Sequence, residues 1–153
     1  MSTKTDQVIL YLTAMWQGLN ATTLNGVQVV DGPQVNLDAS QEWLFVGFDG
    51  DTPNNQNESA TAQQDLMAFA RTKHEQAEVL CSAIVVRGDT DVVTARQRAY
   101  AIVSAAEDAV RSDMQLGGAV MHAYVSAHHY FPVQTTSGAK VRVVFNITYE
   151  AQI

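Results

Sequence analysis

Apolar residues recur along this chain with two different periods, and the periods divide it into elements. Over residues 6 to 19, Val8, Leu12, Met15, Trp16 and Leu19 fall three and four apart, the spacing of one helix face. Asp6 can cap that helix, and Gly18 and Asn20 mark its exit, while Leu10 falls on the opposite side. Over residues 90 to 112, Val92, Ala95, Ala99, Ile102, Ala106 and Val110 make a second stripe, with Arg98, Asp108 and Arg111 outside it. Asp89 or Thr90 can cap its first turn, and Gly117-Gly118 marks the reversal beyond it. The stripe is rich in alanine, so this helix can lie close against a sheet.

Period two is clearest at residues 139 to 152. Ala139, Val141, Val143, Phe145, Ile147, Tyr149 and Ala151 alternate with residues that are polar apart from Val144, as in a strand with one buried face. Residues 75 to 87 read as a long strand whose second half is apolar on both sides, as in a strand covered on both faces. Residues 27 to 30, 42 to 48 and 119 to 131 read as further strands. Asp31-Gly32-Pro33 turns the chain after the first of these, and residues 132 to 138 read as a hairpin loop. Residues 49 to 64 show no period and are rich in Asn, Gln, Ser and Thr, so they read as a long loop. Residues 65 to 73 fit either a short helix or an irregular lead-in.

This order predicts a single α+β domain spanning residues 1 to 153. Two main helices pack on one face of a mainly antiparallel or mixed sheet of about four to five strands. The second face must then meet water or a partner. Charged residues are 16% of the chain, below the roughly 25% of ordinary soluble domains, which fits a surface that partly meets protein. The net charge of −7 disfavours wrapping a phosphate backbone, since counterion release requires Lys and Arg. No segment reaches the roughly 20 apolar residues of a membrane span, and MSTKTDQVIL lacks the pattern of a signal peptide, so synthesis in the cytoplasm is expected.

Candidate chemistry is sparse. Cys81, the only cysteine, lies in an apolar run and reads as a buried thiol. His128 and His129 point to opposite faces of their strand. His122 and His128 share a face by simple alternation but stand ~20 Å apart, and His74 is isolated, so no metal site is expected. Asp49-Gly50-Asp51 resembles the start of a calcium loop, but Pro53 takes the third ligand position and Ala60 the twelfth. Glu75 and Glu78 read as solvated strand ends. No phosphate loop, dinucleotide fingerprint or nucleophile elbow is present. Neither an enzyme nor a cofactor is expected.

The segment from Gly88 onward carries a Gly88-Asp89 turn, a helix with Ala95-Arg96 and Arg98-Ala99, a Leu116-Gly117-Gly118 turn, and a terminal hairpin ending in the alternating strand 139 to 153. In that order these pieces resemble the tail terminator (minor tail) proteins of long-tailed actinobacterial phages, the siphophages. The resemblance spans residues 8 to 153 and is firmest after residue 75. It implies a structural virion protein at the head-proximal end of the tail: a homohexameric ring that caps the tail tube, stops its growth and docks the head connector. Its implied partners are its own copies, the tail tube protein and a head-completion protein, with DNA passing through the lumen unbound. A head-closure protein, a tube subunit or a small ligand-binding module are the alternatives. Asp49, Asp51, Asn54 and Asn55 in one loop, Gln134, Thr135 and Thr136 in the other, and Leu10 are the candidate interface residues, and both loops are candidates to order on assembly.

Overall fold

A computed structural model describes residues 2–33, 42–50, 58–67, 71–88, 91–135 and 138–153. Its elements are α1 (Thr5–Gln17), β1 (Gln28–Asp31), β2 (Glu42–Val46), β3 (Ala60–Leu66), β4 (Lys73–Arg87), α2 (Val92–Ser112), a short 3-10 turn (Leu116–Gly118), β5 (His122–Thr135) and β6 (Gly138–Gln152). One mixed sheet runs β1-β2-β4-β6-β5, with β3 also paired to β4. Both long helices pack on the same face, which is the α+β arrangement that the two periods predict.

β4 and β6 form the spine, paired antiparallel from His74↔Gln152 to Arg87↔Ala139. The apolar side of β6 is buried from Ala139 to Ala151, as its alternation requires. It meets Ala77, Val79, Cys81, Ala83 and Val85 of β4 and the helix residues Leu12, Trp16, Ala99, Ile102 and Ala106 in one core. The alanines of α2 let its backbone approach the sheet, and the indole N–H of Trp16 reaches the Ala106 carbonyl at 3.2 Å.

Four sequence expectations are corrected. Residues 60 to 64 are strand rather than loop, and Asp65 and Leu66 continue that strand, neither a short helix nor an irregular lead-in. The sheet therefore has six strands. Its hairpin arms reach Thr135 and restart at Gly138, so Gln134 and Thr135 belong to β5 and not to a loop. Residues 119 to 121 precede β5 instead of beginning it.

Both helix starts also differ. Asp91 caps α2, its carboxylate accepting the Thr94 N–H at 3.1 Å; Asp89 and Thr90, the residues expected to do so, lie outside the described residues. α1 begins at Thr5 behind Lys4, so Asp6 sits in the first turn instead of capping it.

Candidate interaction surface

The sheet face opposite the helices divides into a covered half and an open half. In the covered half, Trp43, Phe45 and Ile84 form a second, smaller core with Val30, Phe48 and Val86 packed against it. The chain leaving β2 crosses this patch. The Ser82 hydroxyl donates to the Phe48 carbonyl at 3.0 Å, and the Arg142 guanidinium donates to the Asp49 carbonyl at 2.7 Å. That guanidinium also stands 4.3 Å from the centre of the Phe131 ring. Gly50 lies flat on the sheet at φ +76, where an added Cβ would come within 2.9 Å of Ile84 and Ser82. Asp49 is thus held against the sheet through its backbone, whereas a loop awaiting assembly was expected there.

The open half is polar. Across β3, β4, β6 and β5 the rows read Thr61, Glu78, Thr148, Tyr124 and then Gln63, Gln76, Glu150, His122. All of these except His122 line a shallow groove of about 450 Å³. Glu150 accepts the Gln76 amide at 3.0 Å. That bond chiefly, with His122 and His74 adding to it, holds the carboxyl below its ordinary value. The imidazole nitrogens of His74 and His122 lie 3.6 and 3.7 Å from the other Glu150 oxygen. His74 is therefore not isolated.

A β-bulge between Val125 and Ala127 overturns another expectation. It shifts the phase of β5, so His122 stands opposite Glu150 on the open face while His128 stands opposite Phe145 on the helix side. There His128 meets the Tyr100 ring edge to face at 5.8 Å. The pair sharing the open face is His122 and His129. Among the described residues no three His, Cys, Asp or Glu side chains are grouped to hold a metal ion.

Glu75 is the largest departure from expectation, because it is fully buried and not a solvated strand end. One oxygen accepts the Tyr149 hydroxyl at 2.7 Å and the Lys4 N–H at 3.0 Å; the other accepts the Gln64 amide at 2.6 Å. The Thr5 hydroxyl, 2.8 Å from the phenol, directs its own proton there, since Tyr149 donates to Glu75. Burial pushes the Glu75 carboxyl up. Hydrogen bonds from Tyr149, Gln64, the Lys4 backbone and Thr3 more than offset it and leave it below its ordinary value. Tyr149 is pushed up to about 12, chiefly by burial, with Glu75 acting in the same sense. The carboxylate caps α1 from a strand 71 residues away and ties the helix to β3 and β6. Every oxygen of this cluster is engaged, so it holds structure in place.

Of the candidate interface residues, Leu10 is exposed on α1 at 55%. Asp49 borders the covered half, Gln134 and Thr135 lie in β5, and Asp51, Asn54, Asn55 and Thr136 lie outside the described residues. Leu10 and the strand residues belong to different elements, α1 and β5. Sequence reasoning missed the open rows of Gln63, Gln76, Glu78, Thr148 and Glu150. The alternation of β4 and β6 carries that signal, but β3 carries none. Cys81 is buried, as expected, and desolvation pushes its thiol up to about 12. No helix among the described residues is long and apolar enough to cross a membrane. The chain matches no protein-family model and no curated protein.

Proposed function

We propose that this chain is a structural subunit that closes into a ring with its own copies, and that the ring is the terminator of a long phage tail. The observation that carries the ring reading is a sheet with helices on one side only, an open polar half on the other, and β3 and β5 as edge strands among the described residues. Such a body is suited to repeated lateral contact, and cyclic rings are built from head-to-tail contacts between unlike surfaces. The tail assignment adds the order of turns and caps through Gly88-Asp89, the Arg-bearing helix, Leu116-Gly117-Gly118 and the closing hairpin, which resembles the tail terminators.

On this reading the ring sits on the last layer of the tail tube, ends tube growth and offers its far side to the head-completion protein. The charge of −7 suits a ring that lets DNA pass without holding it. The test is an assembly reaction in which tail tube protein polymerises with and without this chain. Tubes that stop at one end, with a ring of this chain on that end, support the proposal. Unchanged tube growth with the chain left free in solution would refute it. Long tubes formed by this chain alone would instead identify a tube subunit.

A further inference from the structure

We infer that the ring seam joins β5 of one copy to β3 of the next, extending the sheet from subunit to subunit; this rests on the ring reading above. The first ground is strand direction. β3, β4, β6 and β5 alternate antiparallel in that spatial order. A copy rotated about an axis running along the strands keeps its strand directions. With an even number of alternating strands, β5 of one copy therefore meets β3 of the next as an antiparallel neighbour, the pairing that a sheet extends most readily.

The second ground is where apolar surface is left in the open. Eight large apolar side chains are exposed among the described residues, and five of them belong to these two edges or lie next to them in sequence. Leu66 and Met67 stand at the end of β3, with Leu66 73% exposed. Met121, Tyr124 and Phe131 stand on or beside β5. Soluble proteins protect long edge strands with charge, proline or bulges. β5 carries a bulge and Pro132 but no Lys, Arg, Asp or Glu along its 14 residues.

The third ground is complementary chemistry. β3 and the residues just before it carry Asp65 and Glu58 with no base, whereas β5 carries His122, His128 and His129 with no acid. The remaining edge strand among the described residues, β1, is a poorer acceptor. It has four residues, and the carbonyl of Val29 is already taken by the Gln17 amide at 3.4 Å.

Thiol cross-linking between separate populations tests the seam. Cys81 is buried and weakly acidic, so an introduced cysteine reacts in its place. One population carries Gln63→Cys on β3. Others carry His122→Cys, Tyr124→Cys or His129→Cys on the same sheet face of β5, spaced to sample the stagger of the seam. A control population carries Val93→Cys on α2. Populations are mixed, treated with a short bifunctional thiol reagent, and weighed before and after treatment.

The seam predicts covalent dimers between the Gln63→Cys chain and at least one β5 population, absent with Val93→Cys and absent from Gln63→Cys alone. A ring mass with no such dimer at any β5 position overturns the seam while leaving the ring reading intact. Dimers from Gln63→Cys alone mean a β3-to-β3 contact and overturn it as well. A chain that stays monomeric at every concentration overturns both.

Discussion

Glu75 carries the sharpest prediction at the scale of one residue. Replacing it with Gln keeps the shape but exchanges three charge-assisted hydrogen bonds for neutral ones, and turns one amide toward groups that already donate. The variant is expected to lose about 2–4 kcal/mol of unfolding free energy in a denaturant titration. The contribution of this cluster to pH dependence follows from its two shifted groups. The Glu75 carboxyl is depressed in the folded state, so its contribution is present above the unfolded value near 4.3 and disappears as pH falls through the folded one. The Tyr149 phenol is raised, so stability holds below about 10 and is lost as pH climbs from there to about 12. Tyr149→Phe should shrink the alkaline limb in a melting-temperature series, the raised Cys81 thiol keeping the rest of it, while Glu75→Gln weakens the acid one. Gly117 is a second such position. At φ +69 its missing side chain faces Tyr11, whose ring an added Cβ would approach to 2.8 Å. Gly117→Ala should cost about 1–3 kcal/mol by the same titration, through left-handed strain and displacement of Tyr11 from Asp113.

Among elements, those most legible in the sequence are the ones whose two faces meet different surroundings. β6 has a dry face and a wetter one, so its alternation reads directly, and the stripe of α2 is legible for the same reason. β3 is an edge strand with water on most of its surface. Its side chains, Ala-Thr-Ala-Gln-Gln-Asp-Leu, show no contrast between faces, and its membership of the sheet comes from pairing with β4. The bulge in β5 was equally hidden, because Ser126 carries none of the glycine or proline punctuation that signals a change of phase. Glu75 was legible in principle: it lies in phase with Ala77, Val79 and Cys81, the buried side of β4, and its acidity masked the pattern. The cap of α1 was not, since its acceptor comes from a distant strand. Deleting Ser126 tests the bulge. With the extra residue gone, Ala127 follows Val125 directly and still pairs with Asn146, so His128 should stay opposite Phe145 and keep its contact with Tyr100, seen as unshifted imidazole resonances; a loss of that contact would contradict the bulge.

At the scale of the whole molecule, the helices leave one face of the sheet half bare, and the β3 and β5 edges carry exposed apolar side chains without protecting lysines. A monomer gains nothing from such surface, and a ring would bury it. The candidate interface residues sat mostly in loop segments because polar composition draws attention to loops. The described strands offer a different surface, and its apolar members, Leu66, Tyr124 and Phe131, are unremarkable in sequence because apolar neighbours, Met67, Val125 and Tyr130, stand beside them. The mass of the purified chain in solution over a wide range of concentration tests ring formation most directly. A closed ring of six 16.7 kDa copies predicts one discrete species of about 100 kDa that grows at the expense of monomer and then stops. A monomer that persists throughout, or a ladder of ever larger species with no closed limit, would contradict it.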